Sequence, residues 1–423
     1  MNFAVVNLGC KVNRVESDSF AAALLARGAV PVAEADADLI VVNTCTVTGE
    51  AEKKTRKAVR RALRCNDRAA VAVTGCAVAI DAATYEAMDP RVRIVGKGEF
   101  LKQIEQGAWD GCSEEAAAAT VRPAISAAEE VALPLGEGFR TRVGVKVQDG
   151  CDNACTYCIV HVARGRATSR PADDVARECA ALASAGAREI VLTGINLGSY
   201  CDGERRDPNA VRLADLLARL LEETEGMHEE GEPPVRFRVS SIEPRDVDGS
   251  FMDLLARADG RVCRHVHLPL QAGSSKVLRE MARPYDAPRF EALVRDLRTR
   301  VPRISLSTDV IVGFPGETDD EFQETLDLCR RCGFSKIHVF PYSRREGTPA
   351  AARLDQVEPE VKAARAALLR ALGDELRAAD RSSRSGTVEL ALVEEGGAAM
   401  TESYFEVPAP EGAVVGTLVE VPL

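Results

Sequence analysis

Aromatic residues are scarce in this chain: they make up 4% of 423 residues, with a single Trp. Broad stacking of bases on aromatic rings is therefore excluded as the main way of holding a nucleic acid. Long apolar runs are lacking too, and none reaches the ~20 residues that a membrane-spanning helix needs. The opening stretch, MNFAVVNLGCKVN, has neither a basic leader nor an extended apolar segment. No secretory signal and no membrane partner are expected, and the expected location is the cytoplasm. Net positive charge is missing: 54 Lys and Arg against 65 Asp and Glu leave −11. That excludes a general polyanion binder but leaves room for a local basic patch. Residues 386–423 have no Lys or Arg at all, and seven Glu.

Cysteine, by contrast, is plentiful. Thirteen of them, an odd number, point to reduced thiols and metal ligation rather than a disulfide framework. The densest group is VQDGCDNACTYCIV, which sets Cys151, Cys155 and Cys158 in a C-x3-C-x2-C array. Three thiolates can hold three irons of a 4Fe–4S cubane, leaving the fourth iron open to a small ligand. The alternative is zinc, because His161 follows Cys158 by three and would complete a Cys3His set. Zinc ligands usually come as two separated pairs, whereas these four residues crowd into one loop. That loop also ends a strand-like run (Val143, Val145, Val147), where α/β folds place their ligands.

Residues 1–106 repeat a short apolar strand, a loop and an amphipathic helix, with strands expected at 3–7, 38–43, 70–74 and 92–95. This predicts a parallel α/β sheet. Cys10, Cys45 and Cys76 each fall just past the C-terminal end of one of the first three strands. Those ends share one rim, so residues distant in sequence would meet there and hold a second 4Fe–4S cluster. Small cysteines filling the core are the alternative. Residues 107–136 are rich in Ala, Glu, Gly and Pro and read as a linker, with Cys112 incidental. From 137 to 370, strands are expected at 143–148, 189–193, 235–240, 265–268, 305–312 and 336–340. Six βα units suggest a partial barrel with a polar, Gly-rich mouth. A helix over 357–379 leads to short alternating strands in 383–423, a small β-barrel candidate.

Read together, these segments resemble the methylthiotransferases of the radical S-adenosylmethionine (SAM) superfamily. NLGCKVNRVES, VVNTCTVT and VTGCAV surround Cys10, Cys45 and Cys76. ARGR at 163–166 with Ser169 and Arg170, then LTGINLGSY, SSIEP, HLPLQAGS, STDVIVGFPGET and HVFPYSRREGT, follow in the family's order. Lys11, Val12 and Asn13 carry the likeness to the branch acting on N6-threonylcarbamoyladenosine in tRNA. The isopentenyladenosine branch usually differs there and is the alternative within the family; a two-cluster electron-transfer protein is the alternative outside it. Two departures stand out. His161 occupies a place where the family usually has proline, and the C-terminal module, which resembles a TRAM domain, is wholly acidic although phosphate contacts need cations.

The resemblance implies a transferase of tRNA modification with two 4Fe–4S clusters and SAM. The cluster on Cys151, Cys155 and Cys158 would bind SAM at its open iron. One SAM would methylate sulfur carried on the second cluster. Another would give a radical that takes hydrogen from C2 of the modified adenosine next to the anticodon. Tyr157, Thr193, Gly194, Glu243, Ile311 and Gly313 are the expected SAM contacts. The implied partners are tRNA, a sulfur donor and an electron donor such as flavodoxin or ferredoxin.

Residues 53–64, KKTRKAVRRALR, carry seven cations and no acid. Lys53, Arg56, Lys57, Arg60, Arg61 and Arg64 recur at helical spacing, with Ala58, Val59, Ala62 and Leu63 opposite. Like charges at i, i+4 repel, so a stripe in an otherwise acidic chain reads as a phosphate-binding face, against a merely solvated one. Arg164, Arg166 and Arg170 are a second RNA-binding candidate. Cys329 and Cys332 form a C-x2-C within a helical run, which reads as packing rather than redox chemistry.

Overall fold

Stretches such as LIVVNT and AVAVTG have no polar face, so they suit strands covered on both sides. A computed structural model describes residues 1–46, 49–109, 133–136, 138–228 and 230–423. In it, Leu39–Thr44 and Ala70–Gly75 are fully buried central strands of a five-stranded parallel sheet. The spatial order is Val30–Pro31, Asn2–Asn7, Leu39–Thr44, Ala70–Gly75, Val92–Ile94. In chain order that is 2-1-3-4-5, so the winding reverses between Asn2–Asn7 and Leu39–Thr44. Open α/β sheets bind ligands at such a reversal, beyond the strands' C-terminal ends. Helix Gly49–Cys65 covers one face with Ala58, Val59 and Ala62. Helices Lys11–Ala26 and Lys97–Glu105 cover the other with Phe20, Leu24, Phe100 and Ile104.

The chain divides into two compact units. One holds Met1–Arg140 with Ile159–Gly165; the other holds Thr141–Cys158 with Arg166–Leu423. The expected linker 107–136 lies mostly outside the described residues, as does Cys112. Its first residues are packed: Trp109 is buried, with its ring 5.3 Å from that of Phe100.

In the second unit, six parallel strands follow one another. Val143–Lys146, Glu189–Thr193 and Arg236–Val239 form one three-stranded sheet; His265–His267, Ser305–Val312 and Lys336–Pro341 form another. Parallel bridges Phe237–Val262 and Ser241–His267 link them. Among the described residues the wall is not closed into a barrel.

The C-terminal strands Val388–Glu394, Ala398–Thr401, Glu406–Pro408 and Leu418–Pro422 form an antiparallel sheet within the same unit, open rather than a closed barrel. Buried arginines hold it against the wall. Arg236 donates to the carbonyls of Leu390 (2.7 Å) and Met400 (3.0 Å), and Arg238 to those of Glu402 (3.0 Å) and Thr401 (2.9 Å). Tyr404, at φ +68, stacks on His265 with the Arg238 guanidinium 5.0 Å from its ring. Several of the module's acids face inward: Glu389 pairs with Arg384, Glu394 with Arg142 and Glu402 with Arg264. Its acidic composition therefore serves docking as well as solubility.

Both arginines share Glu189, at 2.6 Å each. Burial alone would raise this carboxyl, but the Arg238 and Arg236 guanidinium groups overcome it and hold Glu189 at about 2, below its ordinary 4.5. The stabilisation is full above 4.5 and is lost as pH falls through 2. Removing one partner of a buried pair costs about 3–5 kcal/mol. Glu189→Gln should therefore lower the melting temperature clearly at pH 7, and the gap from wild type should narrow below pH 4.5. A constant gap in melts down to pH 2.5 would assign the loss to packing.

Candidate active site

The loop that follows Val143–Lys146 is built around Gln148, which is 1% exposed. Its amide donates to the carbonyls of Asp149 (2.7 Å) and Gly150 (2.8 Å), and its Oε1 accepts from the Asn196 amide at 2.8 Å. One side chain thus fixes the entry to the cysteine loop against the TGIN turn. Gly194 leaves room for this: a Cβ there would lie 2.9 Å from Gln148 Oε1. Cys151 and Cys158 are half-buried and Cys155 is buried, with a turn bonding Cys158 N to the Cys155 carbonyl at 3.1 Å.

Arg283 enters this site from far along the chain. Its guanidinium donates to Cys155 Sγ at 3.2 Å, to the Tyr285 hydroxyl at 3.1 Å, and to Glu243. Donors to cluster sulfur raise a cluster's potential. Thr193 is buried at its strand end, Tyr157 and Ile311 are half-buried, and Gly313, at φ +71, donates its N–H to Glu317 at 2.6 Å. The expected SAM contacts therefore lie in strands and loops of one unit with Cys151, Cys155 and Cys158.

In the first unit, Cys10 caps helix Lys11–Ala26, Cys45 follows Leu39–Thr44, and Cys76 opens helix Cys76–Ile80. The three sit at the ends of adjacent strands, beside the winding reversal. Gly9 (φ +106) and Gly75 (φ +107) precede two of them. A Cβ on Gly9 would lie 2.5 Å from Cys45 Sγ, so only glycine brings these loops together. Fully buried Asn13 donates to the carbonyls of Leu8 (2.8 Å) and Thr44 (2.7 Å), tying the Cys10 loop to the strand leading into Cys45. Arg164, in the segment 159–165 that packs in this unit, donates to Cys76 Sγ at 3.2 Å, Glu16 at 2.9 Å and Asn13 Oδ1 at 2.7 Å.

These settings fit iron–sulfur ligation better than zinc. A tetrahedral zinc with Zn–S bonds of ~2.3 Å holds its sulfurs about 3.8 Å apart. Among the described residues, the group of three donors gathered within 4.8 Å is His267, Asp309 and His338, and neither cysteine triad meets that limit. His161 has a buried Nδ1 with no hydrogen-bond partner among the described residues.

The basic helix Gly49–Cys65 exposes Lys53, Lys57, Arg60, Arg61 and Arg64, with Thr55, Ala58, Val59 and Ala62 buried. Three cations are engaged: Lys54 by Glu50 at 3.9 Å, Arg56 by Glu52 at 2.6 Å and Arg61 by Glu34 at 2.5 Å. Arg60 and Arg64 line a 520 Å³ crevice with Leu63, Thr84, Met88 and Asp89. The second arginine group is dispersed. Arg164 is buried beside Cys76, Arg170 is paired with Glu178 at 2.6 Å, and Arg166 is exposed, 3.4 Å from Asp152. Cys329 and Cys332 are buried in helix Asp319–Cys332; burial pushes both thiols up, Cys332 to about 12, so they stay protonated and act as packing.

Residues 145–329 match the Radical SAM superfamily, and residues 2–96 match Uncharacterized protein family UPF0004. A parallel wall with a three-cysteine loop at its first strand end, over that span, makes this a radical SAM protein. Its fold is similar to the radical SAM methyltransferase TsrM from Kitasatospora setae, with a TM-score of 0.56 at 17% identity over 83% of this chain and 77% of that one. Sequence relatives narrow the class. The threonylcarbamoyladenosine tRNA methylthiotransferase MtaB of Bacillus subtilis is 39% identical over 87% of this chain and 79% of its own. MtaB of Chlamydia pneumoniae is 35% identical over 100% and 95%, and the tRNA-2-methylthio-N(6)-dimethylallyladenosine synthase of Carboxydothermus hydrogenoformans 32% over 93% and 88%. The chain belongs to the methylthiotransferase family of radical SAM enzymes, with SAM and 4Fe–4S clusters as its cofactors. Among the described residues, no helix is long and apolar enough to cross a membrane.

Proposed function

We propose that this enzyme inserts a methylthio group at C2 of N6-threonylcarbamoyladenosine next to the anticodon of tRNA. Two separate cysteine triads, one in the loop after the first strand of the parallel wall and one at the C-terminal ends of three adjacent strands, carry the reading: an electron-transfer protein needs no such wall beside one of them. The relatives named for threonylcarbamoyladenosine support the substrate. Cys151, Cys155 and Cys158 would hold the SAM-binding cluster, and Cys10, Cys45 and Cys76 the second. When bound, these clusters and SAM supply the electron, the hydrogen-abstracting radical and the sulfur that acid–base chemistry cannot bring to an unactivated C–H bond.

The chain's own residues orient and shield. Gln148 and Gly194 set the loop against the TGIN turn. Glu243, held by Arg283, would accept from ribose hydroxyls, and the backbone at Ile311 and Gly313 would approach adenine. Thr193 and Tyr157 would complete the set of SAM contacts. An electron donor such as flavodoxin or ferredoxin and a sulfur donor would complete turnover. Nucleoside mass spectrometry of tRNA from cells with and without this chain tests the reading. Loss of 2-methylthio-N6-threonylcarbamoyladenosine is expected; loss of the isopentenyl product instead would move the enzyme to the other branch.

Lys53, Lys57, Arg60 and Arg64 are the proposed phosphate contacts on the basic helix, with Arg56 and Arg61 held back by their carboxylates. Lys57→Glu with Arg60→Glu should weaken tRNA binding and flatten its salt dependence by about two units of slope. The loss should be similar across tRNA sequences, since phosphate contacts carry no sequence information. An unchanged slope would make this a solvated face.

A further inference from the structure

Two glycines shape the turn that follows strand Ser305–Val312: Gly313 at φ +71 and Gly316 at φ +74. Both are pinned by a segment that lies beyond residues 145–329, the span matched to the Radical SAM superfamily. The Gly316 amide donates to the Asp355 carbonyl at 2.8 Å, and a Cβ on Gly316 would lie 2.5 Å from Asp355 Oδ2. On Gly313 a Cβ would overlap Cγ of Lys362, whose ammonium lies 5.9 Å from the Tyr342 ring. Glycine therefore lets the chain turn left-handed here with helix Pro359–Ser383 lying against it.

The same helix supplies a buried cation three residues on, on the same face. The Arg365 guanidinium donates to Glu317 Oε2 at 2.8 Å and to the Glu317 carbonyl at 3.1 Å, and lies 5.5 Å from the Phe322 ring. Glu317 Oε2 also accepts the Gly313 N–H, at 2.6 Å. One carboxylate oxygen thus joins the helix cation to the backbone at the strand end. Burial raises the Glu317 carboxyl above its ordinary 4.5, and the Gly313 N–H and Arg365 oppose that rise. Without Arg365 the carboxylate would be buried with one amide and no counter-charge, and its hold on Gly313 would loosen. The second partner of Arg365 is different in kind: Asp319, at 2.6 Å, is 93% exposed.

We propose that Arg365 is a positioning residue for SAM: through Glu317 it fixes the Gly313 backbone against which adenine lies, so helix Pro359–Ser383 forms part of the cofactor site. This inference rests on the placement of adenine at Ile311 and Gly313 proposed above.

The test is equilibrium dialysis of labelled SAM against the anaerobically reconstituted full chain, with the clusters left oxidised so that SAM stays intact. Arg365→Met should raise the dissociation constant about 10-fold or more, the scale of a hydrogen bond to a charged group. Arg365→Lys, which keeps a cation, should recover part of the loss. Iron content should be unchanged, since Arg365 is partnered by Glu317, Asp319 and Phe322 rather than by the cysteine loop. In 5′-deoxyadenosine release under dithionite, the larger part of the effect should fall on the KM for SAM rather than on kcat. Adding Arg365→Met to Glu317→Gln should cost little beyond Glu317→Gln alone, because the two act in series. Asp319→Asn, which breaks only the exposed pair, should bind SAM as the wild type does. Unchanged affinity in Arg365→Met, additive losses in the double variant, or an equal loss in Asp319→Asn would each overturn the proposal and leave Arg365 as helix packing. If the wild type does not bind SAM, or Gly313→Ala binds it as tightly, the adenine placement itself has failed. If Gly313→Ala weakens binding and Arg365→Met does not, only the role of Arg365 has.

Discussion

Alanine at Cys151, Cys155 and Cys158 together should abolish reductive cleavage of SAM and leave about half the iron. Two 4Fe–4S clusters on two triads give roughly eight irons per chain after anaerobic reconstitution, and losing one leaves roughly four. The remaining iron should stay because Cys10, Cys45 and Cys76 are positioned by a sheet, two close-packed glycines and Asn13, all in the other compact unit. Iron assay and 5′-deoxyadenosine release under dithionite read the two effects separately. A single substitution at Arg283 is a milder version. Its guanidinium contacts Cys155 Sγ and Glu243, so Arg283→Met should lower the potential of the cluster on Cys151, Cys155 and Cys158 without removing iron. Stoichiometric zinc in the wild-type chain, with little iron, would sink both cluster assignments.

The strand framework was legible because its residues carry local signals. The runs around 39–44 and 70–75 have no polar face, and the cysteines after them fall at the one position where parallel strands gather distant residues. The edge strand Val30–Pro31 left no such signal: it is two residues long and exposed. Trp109 was hidden by the composition of its neighbours, though it packs on Phe100.

Long-range partners were illegible for a different reason. Arg283 lies 128 residues from Cys155, and nothing in MARPYD marks a guanidinium aimed at a thiol. Arg236 and Arg238 alternate with Phe237 and Val239 as in any strand, and only the docked C-terminal sheet shows that both are capped by carbonyls more than 150 residues away. Arg164 illustrates the opposite error. Basic composition suggested a phosphate contact, but its side chain is 3% exposed and bonded to Glu16, Asn13 and Cys76. Charge counts say which residues are cationic; only packing says which of them are free to meet a ligand.

Alanine at Cys10, Cys45 and Cys76 should do the reverse of the first triple variant. SAM should still be cleaved under reduction, because Gln148, Arg283 and Glu243 surround the other cysteine loop within their own unit. Sulfur insertion should stop, so nucleoside analysis should find threonylcarbamoyladenosine without its methylthio form. The loss should exceed that of any single alanine variant, since two remaining thiolates can still retain part of a cluster. Arg164 gives an independent check on this site. Arg164→Met removes the donor to Cys76 Sγ and one of the cations that hold Glu16, so it should impair the second cluster while sparing tRNA affinity. If Arg164 instead contacts phosphate, its loss should weaken tRNA binding and lower the salt slope by about one unit. Methylthiolated product from the triple variant would show that sulfur is not carried on the N-terminal triad. The three cysteines would then be core residues, and the sulfur would have to arrive by way of the SAM-binding site.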